Sequence, residues 1–346
     1  MVQGAQMTPG NKNILIVNVN WIGDVIFSTP FIKAVRGAYP ESRIACLLHP
    51  RCIEVLEGNP DINEIIVYDE EGSHRGFLGK ARLVLDLKKK KFDIAFILHR
   101  SFTKALLVFL SGAKDRIGYP TKNRGLFLTK AVDLPDQELH KVEQFLNIAR
   151  SSGIPVKDAR YRFFINDTHR SRIRQLLREN GIGDKDALAV LCPGGNWDMK
   201  RWPKENFASL ADMLIEKLGL KVVLSGAKKD EALTNGIRGI MKNGCAVSCG
   251  KTTLKELGAL LERANLVVAN DTGPMHLAVA MNAKTIALFG PTSPELTGPY
   301  GGGNYSVIWK TKDCDVPCYD MTCADNRCMA LISAEEVFDK ARELLK

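Results

Sequence analysis

ILIVNVNWIGDVIFSTP, residues 14–30, is the stretch on which the fold turns. ILIVNV (14–19) is a continuous apolar run and reads as a strand buried on both faces. Just beyond it, Gly23 and Asp24 interrupt a segment that is otherwise apolar or neutral. A carboxylate at the exit of a core strand is either a helix-start acid or a working group. Thr29–Pro30 offers an N-cap and first-turn proline of its own to the next helix, so Asp24 is not needed as the only cap. Gly23 lets the chain turn at the strand end.

The same pattern extends outward along the chain. RIACLL (43–48), EIIVYD (64–69), DIAFIL (93–98) and RIGYP (116–120) read as further strands. FIKAVRGAYP, CIEVLEGNP and KALLVFLSGA between them have apolar residues at helical spacing and end near Gly or Pro. KKKK (88–91) reads as the basic last turn of a helix. The alternation restarts after a break near 155–175, with SRIRQLLRENGI, ALAVLCPGG, FASLADMLIEKLG, KVVLSGA, LKELGALLERA, NLVVANDTG, MHLAVAMNA and KTIALFGPT. Strand–helix alternation with continuously apolar strands means an α/β fold with parallel sheets covered on both faces. The expected division is 1–165, 166–330 and a final helix in 331–346, where SAEEVFDKARELLK has a Ser N-cap and early acids.

The chain has 346 residues, 45% hydrophobic and 25% charged, as an ordinary globular enzyme would. No apolar run approaches the roughly 18 residues of a membrane span. MVQGAQMTPGNK has no apolar core of a secretory signal, so a cytoplasmic location is expected. Nine scattered cysteines fit a reducing compartment. Of the net charge of +9, residues 1–165 hold +7 (24 Lys+Arg against 17 Asp+Glu) and residues 166–346 hold +2 (24 against 22). The excess in the first half suits an anionic partner or a membrane surface, or is simply a soluble basic surface.

In open parallel sheets ligands lie outside the C-terminal strand ends, which selects 20–29, 99–104, 193–202, 225–231 and 270–276. In PGGNWDMKRWP (193–203), Gly194 and Gly195 allow close approach of an anion to backbone N–H groups, and Lys200 or Arg201 adds a charge. The alternative is an ordinary strand-to-helix turn with Pro203 opening the helix over Trp202. In ANDTGPMH (269–276), Asp271 or Thr272 can cap a helix whose start, Thr272 and Gly273, is a second anion-binding corner. His276 sits one turn in, either at that end or on the helix surface. Two such helix starts without GxGxxG suggest a nucleotide diphosphate rather than a nicotinamide cofactor. In LSGAKKDE (224–231), Asp230 or Glu231 suits ribose hydroxyls or is a solvated helix-start acid. Arg100 and Lys104 stand at a strand-to-helix junction and suit phosphate or carboxylate groups. Cys314, Cys318, Cys323 and Cys328 lack C-x2-C knuckles, so free thiols or a labile disulfide are favoured over zinc.

Taken in order, WIGDVIFSTP, HRSFTKALLVFL…RIGY, PGGNWDMKRWP, GKTTLKEL, ANDTGPMHLAVA and LFGPTSP make the chain resemble the ADP-heptose:lipopolysaccharide heptosyltransferases of glycosyltransferase family 9 over about residues 13–344, closest to the heptosyltransferase II branch. The resemblance implies a GT-B fold: two Rossmann-like domains facing across a cleft, the first for the acceptor, the second for the nucleotide sugar, with the last helix packing back on the first. It implies inverting transfer of heptose from ADP-L-glycero-D-manno-heptose to the anionic inner core of lipopolysaccharide, without metal or other cofactor. Residue by residue, Asp24 matches the catalytic aspartate and Lys200 the lysine on the donor diphosphate. Thr272 and Gly273 match the phosphate cradle, Asp271 the acid facing the donor sugar, and Thr252 an adenine contact. Gly195–Asn196 stand where some members carry hydroxyl residues; Asp230 is the first choice for ribose. Arg100 and Lys104 would then meet acceptor phosphates and Kdo carboxylates at the inner membrane surface. A monomer without nucleic-acid partners is expected, peripheral to the membrane if attached at all. The alternatives are a relative using another nucleotide sugar, a non-catalytic nucleotide or nucleic-acid binder, or a zinc module on the cysteine tail. No basic helix with interleaved aromatics supports the nucleic-acid reading.

Overall fold

The computed structural model describes residues 11–311, 314–318, 320, 323 and 325–346. Twelve strands are found among the described residues. In the first half they are β1 (Asn13–Val17), β2 (Arg43–Leu48), β3 (Glu64–Val67), β4 (Ile94–Ile97), β5 (Asp115–Gly118) and β6 (Lys130–Ala131). In the second they are β7 (Leu188–Cys192), β8 (Lys221–Leu224), β9 (Ala246–Val247), β10 (Leu266–Asn270), β11 (Thr285–Phe289) and β12 (Tyr305–Trp309). They form two six-stranded sheets, in the orders β3-β2-β1-β4-β5-β6 and β12-β11-β10-β7-β8-β9. Every pairing is parallel. The chain divides between Phe164 and Ile165.

Parallel pairing needs crossovers, and helices supply them on both faces of each sheet. The first strand of each half is therefore central and apolar throughout: Ile14–Val17 and Leu188–Leu191 have no exposed surface. In each sheet the chain winds outward from that strand, returns, and winds out the other way. Two positions consequently have chain leaving in opposite directions, between β1 and β4 and between β7 and β10. Such switch points open a crevice at the carboxyl ends of the strands.

The KKKK run closes the helix Gly76–Lys89, as its charge implies. Three local expectations shift. Thr29 is not an N-cap; its Oγ1 donates to Ile26 O at 2.7 Å, and Ser28 joins the helix Ile22–Phe27 to Thr29–Ala38. Gly23 lies inside the first of these helices rather than at a turn. CIEVLEGNP yields only one helical turn, Ile53–Leu56.

The final helix, Ala334–Leu345, has the expected Ser333 cap, which accepts from Glu336 N at 3.1 Å. Its buried residues Val337, Phe338 and Ala341 belong to the core cluster of the second unit, with Leu210, Leu214 and Ile308. Its apolar stripe is thus absorbed by the core of the second unit. No helix among the described residues is long and apolar enough to cross a membrane.

Trp202 joins these layers. It is 1% exposed, its ring meets Phe207 edge-on at 4.8 Å, and its Nε1 donates to Ile332 O at 2.8 Å. Trp202→Ala should lower stability by about 3–5 kcal/mol. Urea denaturation should show a lower midpoint with an unchanged slope; an unchanged midpoint would contradict this packing.

Candidate functional site

At the β1/β4 switch point, residues 18–21 are stapled from three sides. Asn18 Nδ2 donates to Ser28 Oγ at 2.8 Å, and Val19 N to Asn18 Oδ1 at 2.8 Å. Cys52 Sγ donates to Asn20 O at 3.2 Å, and Lys104 Nζ to Asn20 Oδ1 at 2.5 Å and Asn18 O at 3.4 Å. This turn delivers Trp21, whose ring lies under Arg51 at 4.9 Å, and then the helix Ile22–Phe27. Asp24 occupies the first turn of that helix and is partly exposed, and Trp21 provides no side-chain cap. The charge of Asp24 reaches the buried Cys52 thiol. Burial pushes that thiol up to about 12, so Cys52 is not a nucleophile at neutral pH.

Arg100 is exposed, donating to Gln144 Oε1 at 2.9 Å and lying over the Tyr119 ring at 5.6 Å. Lys104 differs from expectation. It is 2% exposed, close to Glu70 Oε1 at 3.5 Å, and its ammonium braces the turn that carries Asp24. Burial lowers its pKa to about 8, against the opposing pull of Glu70. His99 is neutral, pushed down to about 3 by burial and then by Lys104 and Arg124. Arg124 lies outside the strand-end segments that the sequence pattern selects. It is fully buried, donates to Tyr119 O at 2.6 Å and to His99 O, and has no carboxylate partner among the described residues. An uncompensated guanidinium here makes the β4/β5 end electropositive.

Lys104 binds fewer protons folded than unfolded between about pH 8 and 10.5. Its burial thus costs stability that is fully present below pH 8 and is relieved as pH rises through that window. Relative to Lys104→Met, the wild-type chain should gain about 2–3 kcal/mol between about pH 7 and about pH 10. Urea denaturation of both at the two pH values checks this; parallel pH dependence would refute it.

At the β7/β10 switch point, the two glycine-bearing turns come together. A Cβ on Gly195 would stand 3.7 Å from Thr272 Cγ2. Asn270, the fully buried last residue of β10, holds both: its Nδ2 donates to Pro193 O at 2.9 Å and its Oδ1 accepts from Trp202 N at 3.2 Å. Lys200 Nζ reaches Asp271 Oδ2 at 2.6 Å, where Thr292 Oγ1 also donates at 2.7 Å. His276 is 3% exposed with Nε2 4.0 Å from Asp271 Oδ1, so it is not a helix-surface residue. Thr272 precedes the helix Gly273–Ala280 without a side-chain cap, and Pro274 removes one early N–H. The first N–H groups of such a helix lack intrahelical partners and attract anions.

Around this centre, Arg201 donates to Gly195 O at 2.9 Å and Lys229 to Asn196 Oδ1 at 2.9 Å. Pro203 caps the helix Lys204–Leu218 rather than occupying its first position. Asp230 also departs from expectation. It is 5% exposed, accepts from Ala227 N at 3.0 Å, and packs so close to Gly194 that a Cβ there would lie 2.6 Å from its Oδ2. It therefore supports the glycine turn from beneath. Thr252 is half-buried in the loop before the helix Leu254–Arg263. Its neighbour Gly250, at φ +69°, abuts Glu231 and Lys228.

Thr292 and Asn270 were not singled out from sequence, although Asn270 directly precedes Asp271. The four tail cysteines are free thiols. Cys314 is exposed and Cys328 buried, and the described residues contain no group of three or more His, Cys, Asp or Glu placed to hold a metal.

Two doubly wound parallel sheets, each with its polar residues gathered at the switch point, define the GT-B class of glycosyltransferase fold. The profile of glycosyltransferase family 9 (heptosyltransferase) matches residues 80–328, and the chain belongs to that family. It is 29% identical over 296 residues to lipopolysaccharide heptosyltransferase 2 of Salmonella typhimurium, covering 83% of this chain and 85% of that protein. It is 29% identical over 338 residues to lipopolysaccharide heptosyltransferase 3 of Escherichia coli, covering 93% and 95%. The solved family 9 glycosyl transferase from Veillonella parvula superposes with a TM-score of 0.90 at 29% identity, over 98% of both chains. Escherichia coli ADP-heptose lps heptosyltransferase II gives 0.80 at 25%, over 96% and 98%.

Proposed function

We propose that the chain moves heptose from ADP-L-glycero-D-manno-heptose to the inner core of lipopolysaccharide with inversion at the anomeric carbon. The observation that carries this reading is the Lys200–Asp271 pair set against two adjoining glycine turns at the β7/β10 switch point. The names of the family 9 relatives support the sugar and the acceptor.

The reaction is a single in-line displacement. An acceptor hydroxyl attacks the anomeric carbon while Asp24 takes its proton, and the bond to the diphosphate oxygen breaks with its electrons leaving on ADP. Lys200 and the N–H groups at Thr272–Gly273 offset the charge that develops on the departing diphosphate. Lys200 exchanges Asp271 for the diphosphate as donor binds, and Asp271, still held by Thr292, turns to the sugar hydroxyls. The cations that neutralise the leaving group are the protein's own, and no cofactor enters beyond the donor. Thr252 contacts the adenine. Arg100, with the field of buried Arg124 behind it, attracts the anionic groups of the acceptor.

Asp24→Asn should lower kcat by about 10²–10⁴-fold while leaving ADP affinity within error. Release of ADP with an inner-core acceptor, set beside ADP titration calorimetry, measures both; wild-type turnover would remove Asp24 from the mechanism. For Lys200→Ala, the loss of a charge-assisted contact worth roughly 1.5–3 kcal/mol should weaken ADP binding about 10–100-fold. An unchanged calorimetric affinity would take Lys200 off the diphosphate.

A further inference from the structure

RGFLGKARLVLDLKKKK, residues 75–91, contains seven basic residues and one acid, a net +6 within the +7 of residues 1–165. The helix Gly76–Lys89 buries Gly79, Leu83 and Leu87 against the first sheet. Its other side leaves Phe77 84% exposed, Leu78 81% and Leu85 59%. At about 100° per residue, Phe77, Leu78, Leu85, Arg82, Lys88 and Lys89 share one arc of about 140°. Large apolar and cationic side chains therefore alternate on one outward surface.

The preceding loop holds Phe77 and Leu78 out. The Asp69 carboxylate accepts from Gly72 N at 3.0 Å and Ser73 N at 3.2 Å, and His74 Nδ1 accepts from Asp69 N at 3.1 Å. Gly79 lies so near His74 that a Cβ would stand 2.7 Å from its backbone. The only acid of the helix, Asp86, is paired with Lys89 at 3.0 Å. Arg75, Arg82 and Lys88 have no carboxylate in salt-bridge reach among the described residues.

A surface both apolar and cationic is matched by one both apolar and anionic. A second copy of the chain would set +6 against +6 and be repelled. A bilayer with acidic headgroups satisfies both demands, because apolar groups enter the headgroup boundary while long basic side chains reach the phosphates. The helix, about 20 Å long, offers this face along its length rather than as a pocket.

We propose that the outward face of helix Gly76–Lys89 docks the first unit on an anionic phospholipid surface. Phe77, Leu78 and Leu85 enter the headgroup layer, and Arg75, Arg82, Lys88 and Lys89 hold lipid phosphates. This inference stands apart from the transfer reading, since none of these residues has a part in donor or acceptor chemistry.

Cosedimentation of the full chain with vesicles tests it. The chain should pellet with equal parts phosphatidylethanolamine and phosphatidylglycerol, and remain in solution with phosphatidylcholine alone. The exposed double variants Phe77→Ser/Leu78→Ser and Lys88→Glu/Lys89→Glu should each weaken binding by about tenfold or more. Transfer to a deacylated, water-soluble acceptor should be unchanged in both, so loss of that activity in the wild-type chain would count against the transfer reading alone. Wild-type chain that ignores anionic vesicles, or variants that bind as wild type does, would overturn the proposal. So would a wild-type dimer in sedimentation velocity that Phe77→Ser/Leu78→Ser dissociates, because the face would then be a protein contact.

Discussion

The carboxamide of Asn270 ties the last residue of β10 to both ends of the turn that follows β7. It ends the strand next to β7, and from there it takes the carbonyl of Pro193 and the N–H of Trp202. Polar backbone at a strand end has lost its sheet partners, and burying it unpaired would cost more than one hydrogen bond contributes. By satisfying both sides of the 193–202 turn, Asn270 brings Gly195 against Thr272 and Lys200 onto Asp271. Trp202 is fixed at the same time, and through Ile332 it ties in the segment leading to the final helix. The anion-binding corner and the core packing of this unit thus share one constraint.

The first unit is organised by buried positive charge. Lys104 and Arg124 sit in surroundings that hold their pKa values down, to about 8 and about 10. Burying a cation is costly unless neighbours are arranged to receive it. For Lys104 those neighbours are Glu70 and, in the turn ahead of Asp24, Asn18 and Asn20. For Arg124 they are, among the described residues, backbone carbonyls. The electropositive character of this strand end therefore arises inside the fold. The charge of helix Gly76–Lys89, by contrast, lies on its surface.

Much of this was readable along the chain, and the exceptions share a cause. Strands such as RIACLL and LVVAN are legible because burial on both faces demands unbroken apolar residues. That Asp24, Lys200 and Asp271 lie just beyond strand ends was legible because each apolar run stops where the chain leaves the sheet. Asp230 and Lys104 were read as solvent-facing charges because sequence gives position along a strand-to-helix turn but not depth. Gly194 decides the depth of Asp230, and Asn20 that of Lys104, and both are far away in sequence. The final helix shows the same limit: its apolar stripe was plain, but which core would receive it was not.

By itself the sequence determined the alternation of elements, the parallel sheets and the strand ends at which chemistry gathers, because these follow from local periodicity and burial. The strand order, the pairing of Lys200 with Asp271 and the approach of Gly195 to Thr272 were decided only by the tertiary structure. They depend on which strand lies beside the first strand of each half, a choice made by packing over the whole unit. The outward face of helix Gly76–Lys89 belongs to both: its composition was visible in residues 75–91, but only the folded core showed that Phe77, Leu78 and Leu85 are left outside it.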